Sequence, residues 1–403
     1  MVEIELSVMA QTADDFRPLL DQFEAQQHIR VRVRIFDWAT AWPELVDLAV
    51  HGRGPDVSEI GTTWINNLAA MDVMRPFSDR DIVSLGGAAI FPTSVWQSAG
   101  QLEGKRVWSI PWFVDMPVIY YRRDLLQKAG VDENTAFQTS AQLEQTLERL
   151  RASGVAIPWV YPTQPTLSTL HYLASWIWEA GGDFLDDTSS QVILDQPKIH
   201  QSLRAYFSLV RYLSPQTFAF DENQVNKIFM SGQAAVTLAG MWAWLDVLEG
   251  KATAAPEVME NIGFAQVLGV PYVGGANLVI WRHTPRIEAA QKLVRYLVSR
   301  QVQATYPQRV GFLPIRQDML AEPAFASQAL YRMVSQGLAA SRTLPTVSTW
   351  GMIEERLSLA FSAVWQSILA DPKHDVDAAL ADQLISAVKR LNFTLKSRPQ
   401  NKW

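Results

Sequence analysis

The side chains able to carry chemistry are unevenly drawn: 15 Trp, 17 Phe and 10 Tyr stand beside six His and no Cys. The lack of Cys excludes disulfides, thiol nucleophiles and cysteine-ligated zinc. His28, His51, His171, His200, His283 and His374 are widely separated, none at metal-ligand spacing with another, and each reads as an ordinary surface or partly buried residue. The carboxylate doublets Asp14-Asp15, Asp186-Asp187 and Glu354-Glu355 would suit the paired acids of a glycosidase, but neighbours in sequence rarely face one site, so each reads as a solvated face. Gly100 to Lys105 approaches a phosphate loop with only three residues between its glycines and Arg106 where Ser or Thr is needed. Nucleophile-elbow, dinucleotide-binding and zinc-protease motifs are missing, so neither catalytic residues nor a cofactor is expected. The aromatic excess is what carbohydrate pockets use: an indole presents a broad apolar face with one N–H donor.

These groups need a scaffold. At about 150 residues per domain, 403 residues favour two domains or three small ones. A hydrophobic fraction of 48% with 19% charged residues excludes a disordered chain. The net charge of −6 and the lack of a basic cluster interleaved with aromatics argue against nucleic acid as a partner. Apolar runs stop short of the roughly 18 residues that span a membrane. Met1 directly precedes an alternating strand, so a secretory signal peptide is expected to be absent from this chain, removed or never present.

Ile4, Leu6 and Val8 alternate as a strand, and a helix capped by Thr12 carries Phe16, Leu19, Leu20 and Phe23. Val31, Val33 and Ile35 interleave with Arg30, Arg32 and Arg34, a strand with one solvated face. A second helix puts Trp42, Leu45, Val46 and Ala49 on one side and stops near Gly52. Asp56 to Ile60 is a third strand, leading through Gly61-Thr62-Thr63 into a short helix with Trp64. Three strand–helix alternations in about 75 residues mark a parallel α/β lobe. Longer helices follow, with a late strand at Asn277 to Trp281.

Five phrases, in order, resemble the extracellular solute-binding proteins of bacterial ABC importers, in particular the sugar- and maltodextrin-binding class. They are Pro55-Asp56-Val57 with Trp64, Leu68 and Arg75-Pro76-Phe77; Gly104 to Trp112 with Ile119 to Gly130; Phe229 to Val236 with Gly240-Met241-Trp242; Gly274 to Ile280; and Gly311 to Arg316. Ala136-Phe137-Gln138-Thr139 and Arg122 depart from the family pattern. The resemblance implies a two-lobed type II periplasmic-binding-protein fold with the ligand cleft between α/β lobes. The first lobe would comprise residues 1–111 and 277–311, the second residues 112–276 and 312–403.

Ligands of open α/β sheets bind beyond the carboxyl ends of strands. Independently of the family, that rule selects Gln11, Thr12, Asp37, Trp38, Thr62, Thr63 and Trp64. The resemblance adds Trp242 as the stacking indole, Trp112 and, as hydroxyl acceptor past the first crossing, Asp115, Gly275 as a close backbone approach, and Arg316, Gln164 and Trp350. Each has a plainer alternative: a core tryptophan, a helix cap, a hinge glycine or an ion pair locking the lobes. The function implied is capture of a mono- or oligosaccharide by hinge closure and delivery to the transmembrane subunits of an ABC permease. The protein would be a periplasmic or extracellular monomer, membrane-associated through its transporter. A polyamine, phosphodiester or iron carrier stays open as an alternative, as does a glycosidase using Asp115.

Overall fold

Period-two alternation decides the first strand pair. Ile4, Leu6 and Val8 of β1 (Val2–Met9) are buried, and β1 runs parallel to β2 (Ile29–Phe36) with Ile4 opposite Val31 and Leu6 opposite Val33. The interleaved arginines meet the carboxylates of β1: Arg34 bonds Glu5 at 2.9 Å, and Arg32 and Arg30 lie 3.6 Å from Glu5 and Glu3. The basic row is thus a solvated, charge-matched sheet face. Helix α1 (Arg17–Gln27) buries Leu20 and Phe23. In α2 (Ala41–His51) the buried seam is Ala41, Leu45 and Ala49, which leaves Trp42 and Val46 half-buried at its margin.

The computed structural model describes residues 1–9, 16–38, 40–99, 106–164, 168–371, 373 and 375–397. The expected cap at Thr12 and the site residue Gln11 lie outside them. The remaining strands are β3 (Val57–Gly61), β4 (Met74–Arg75), β5 (Ile110–Asp115), β6 (Pro117–Arg122), β7 (Trp159–Val160), β8 (Val236–Gly240), β9 (Ile262–Gln266), β10 (Gly274–Trp281) and β11 (Leu313–Pro314). They form a seven-stranded sheet in the order β11-β5-β10-β3-β1-β2, with β4 beside β10, and a four-stranded sheet in the order β7-β8-β6-β9.

The chain divides into two compact α/β units: Met1–Met116, Trp244–Glu249 and Val273–Gly351 form the first, and Pro117–Ala243, Gly250–Tyr272 and Met352–Trp403 the second. The boundaries expected after residues 111, 276 and 311 fall after Met116, Tyr272 and Gly351, and Trp244–Glu249 joins the first unit. The last boundary moves furthest because β11 pairs with β5, Leu313 opposite Val114, and the chain beyond it stays bonded to the first unit. There Ser341 Oγ donates to Ser94 Oγ at 3.0 Å, and Val273 N–H to Arg342 O at 2.8 Å.

In the first unit β10 runs antiparallel between β3 and β5. Buried polar links tie it down: Trp281 Nε1 donates to Ser58 Oγ (2.6 Å), and Asn277 Nδ2 to Ser109 Oγ (2.8 Å) and Ser98 O (3.1 Å). The second unit has an aromatic core in which Trp159, Tyr161, Tyr172, Trp176, Tyr206 and Trp365 line a small internal cavity, and the Tyr206 hydroxyl donates to that of Tyr161 at 2.5 Å. Among the described residues no helix is long and apolar enough to cross a membrane.

Glu59, on β3, is buried and accepts the Met9 backbone N–H at 2.7 Å, and burial pushes its carboxyl up to about 8 from 4.5. The folded state therefore holds this proton more tightly than the unfolded chain. Its contribution to stability is complete below about pH 4.5 and is lost as pH rises through 8. Glu59→Gln keeps an acceptor for Met9 and removes the titration. Melting temperatures measured from pH 5 to 9 should fall more steeply for the wild type than for the variant; parallel curves would contradict this account.

Candidate functional site

Strand direction gathers the sequence-selected residues. Because β1, β2 and β3 are parallel and β10 is antiparallel to both β3 and β5, the carboxyl ends Met9, Phe36, Gly61 and Asp115 share one edge of the first sheet with the start of β10. Ala276 pairs with Gly61 and Gly274 with Asp115. Asp37 and Trp38 leave β2 there, and the Asp37 carbonyl accepts the Ala41 N–H at 2.8 Å, closing the turn into α2. Thr62, Thr63 and Trp64 form one tight turn after β3, and α3 (Ile65–Ala70) follows.

Three indoles converge at this edge. Trp64 lies 5.6 Å from Trp38 and 5.5 Å from Trp42, with rings inclined at 55° and 46°. Trp64 is 8% exposed, whereas Trp38 and Trp42 are half-buried. Asp37, next to Trp38, is exposed and Thr63, next to Trp64, is half-buried, while half-buried Asp115 ends β5 with β10 between it and β3. Thr62 Oγ1 donates to Gly275 O at 2.9 Å, joining the β3 turn to β10. Gly275 has φ +129°, and a Cβ on it would lie 2.1 Å from Phe113 O, so its glycine is demanded by backbone packing between β5 and β10.

The second sheet has a comparable edge. Gly240, the end of β8, pairs with Pro117, the start of β6, and accepts the Tyr120 hydroxyl at 2.9 Å. Trp242 opens the Trp242–Leu248 helix just beyond and is half-buried, while Trp244 is buried. Gln164, past the end of β7, is exposed, and its side-chain amide donates to Ala219 O. His171 stacks on Tyr272 with centroids 4.3 Å apart and rings 12° from parallel. Burial holds its imidazole far below the ordinary range, at about 3, so it is neutral at physiological pH.

Three expected residues do not join these edges. Trp112, within β5, is fully buried and stacked on Tyr306 and Phe113. Trp350 is fully buried at the start of the Trp350–Ala370 helix. Arg316 follows β11, which runs antiparallel to β5 and so carries the chain away from Asp115, and its guanidinium is engaged by Asp318 at 2.9 Å. Conversely, Trp42 and Gly61 stand at the first edge without having been selected. The signal for Trp42 was its place in the first turn of a helix entered from the carboxyl end of β2.

A model of the bacterial extracellular solute-binding protein family matches residues 19–332, and the chain belongs to that family. It is 26% identical over 337 residues to a probable ABC transporter-binding protein of Deinococcus radiodurans, covering 79% of this chain and 76% of that one. A maltotriose-binding protein of Pyrococcus abyssi is 21% identical over 82% of this chain and 69% of its own length. Among solved structures, the sugar-binding protein MalE of Xanthomonas citri superposes with a TM-score of 0.81 at 23% identity, covering 99% of this chain and 100% of that one. The shared fold is that of two-lobed periplasmic binding proteins.

Gly275→Ala should lower stability by a few kcal/mol, because the added methyl meets the Phe113 carbonyl at a positive φ. Denaturant unfolding reads the change, and an unaltered midpoint would show that β5 and β10 separate freely there.

Proposed function

We propose that this protein captures a carbohydrate, a mono- or oligosaccharide, and delivers it to the transmembrane subunits of an ABC importer. It would work as a monomer in the periplasm or outside the cell, held at the membrane by its transporter. The observation that carries the reading is the presence of half-buried indoles and hydroxyl-matching polar groups at strand ends: Trp38 and Trp42 with Asp37 and Thr63, and Asp115 further along the same sheet edge, in one unit, Trp242 in the other. The sugar-binding names of the Pyrococcus and Xanthomonas relatives support the same ligand class.

A sugar ring needs a flat apolar platform for its face and planar polar groups for its hydroxyl rim. Stacking that buries on the order of 100 Å² contributes about 2.5 kcal/mol at roughly 25 cal/mol/Å². Micromolar binding corresponds to about −8 kcal/mol, so hydrogen bonds from Asp37, Thr63 and Asp115 complete the affinity as well as orienting the ring. Carboxylates at the edge suit hydroxyl donors and repel a phosphodiester. The family consists of binding components of transporters, and the reading assigns Asp115 a binding role, not acid–base work.

A thermal-shift screen over mono- and oligosaccharides, a polyamine and a glycerophosphodiester tests the proposal. A sugar at 100 times its Kd should stabilise by about 2.7 kcal/mol. Trp242→Ala should weaken that sugar about tenfold while leaving the melting temperature of the free protein nearly unchanged. Stabilisation by the polyamine or phosphodiester alone would overturn the carbohydrate reading, and release of cleaved sugar would favour the glycosidase.

A further inference from the structure

The three indoles at the edge of the first sheet are not equivalent. Trp64 lies against both Trp38 and Trp42 and keeps only 8% of its surface exposed, so little indole face is left for a ligand. Trp38 and Trp42 are the half-buried pair. They approach from different elements, Trp38 from the turn after β2 and Trp42 from the first turn of α2. Their rings, each inclined to Trp64 by about half a right angle, rest against it in tilted contacts of the kind that aromatic pairs favour.

Gly61 explains how Trp38 reaches this position. Its φ of −59° and ψ of 139° are open to any residue, so its backbone does not require glycine. A Cβ there would lie 3.1 Å from Trp38 Cζ3 and 3.6 Å from both Trp38 Cη2 and Trp64 Cδ2. The missing side chain is space occupied by indole. A methyl would displace the Trp38 ring by a few tenths of an ångström, and a branched side chain further.

We infer that Trp38 and Trp42 present the aromatic surface of the first unit to the ligand, with Trp64 as their support and Gly61 as the positioning residue that lets Trp38 lie across the end of β3. The inference rests on the carbohydrate reading and deepens it: Trp42 becomes a contact residue and Trp64 moves behind the contact surface. A ligand matched to this surface stacks its apolar face on the outer pair.

Calorimetric titration of the intact protein with the sugar that gives the largest thermal shift tests the assignment. Trp42→Ala should raise Kd about tenfold or more, with Trp42→Phe recovering most of the loss because a smaller aromatic face remains. Trp64→Phe should lower the melting temperature more than Trp42→Phe does, yet weaken binding less than Trp42→Ala. Gly61→Ala should raise Kd modestly at a nearly constant melting temperature, and Gly61→Val should raise it severalfold with some loss of melting temperature. The tryptophan emission change on ligand addition should shrink in Trp42→Phe. Wild-type affinity in Trp42→Ala, or a larger binding loss in Trp64→Phe than in Trp42→Ala, would overturn the inference while leaving the carbohydrate reading intact. Failure of the wild type to bind any sugar would overturn both.

Discussion

The edge that carries the candidate residues of the first unit exists because β10 is seated between β3 and β5. Only with that strand in place do Gly61, Gly274 and Asp115 come level, and only then is the turn holding Thr62 to Trp64 tied to the neighbouring chain through the Gly275 carbonyl. The seat is specific. Trp281 and Asn277 reach buried hydroxyl and carbonyl partners that would be left unsatisfied in another register. At Gly275 the backbones of β5 and β10 approach too closely for a side chain.

Local patterns revealed the elements, while long-range pairing remained hidden. The first three strands and two helices were legible from alternation and helical spacing, because burial on one face imposes those periods. The late strand was legible only from Asn277, since Gly274-Gly275-Ala276 carry no alternating apolar signal. The last change of unit was missed for a different reason. Strand β11 has two residues, and what keeps it in the first unit is a partner about 200 positions earlier, which no local pattern encodes.

The tryptophan count pointed toward a binding surface, but most of these side chains are interior. Trp112, Trp281 and Trp350 are fully buried, and Trp159, Trp176 and Trp365 belong to the aromatic core of the second unit. Composition reports how much indole a chain contains; strand direction decides which of it reaches a carboxyl edge of a sheet. That rule selected Asp37, Trp38, Thr63 and Trp64, which follow strand ends on one edge of the first sheet. It passed over Trp42 because helical spacing had put that residue on the core face of α2, whose buried seam is turned by about one residue toward Ala41. The two carboxyl edges hold the half-buried indoles Trp38, Trp42 and Trp242.

The position of β10 also bears on biosynthesis. A nascent chain that has emerged through β5 holds both flanks of the first sheet but lacks the strand that joins them, which lies some 160 residues further along. The N-terminal third must therefore wait, with the inner edges of β3 and β5 unpaired, until most of the polypeptide has left the ribosome. Such a delay favours slow, non-local folding and gives chaperones time to hold the chain before it closes.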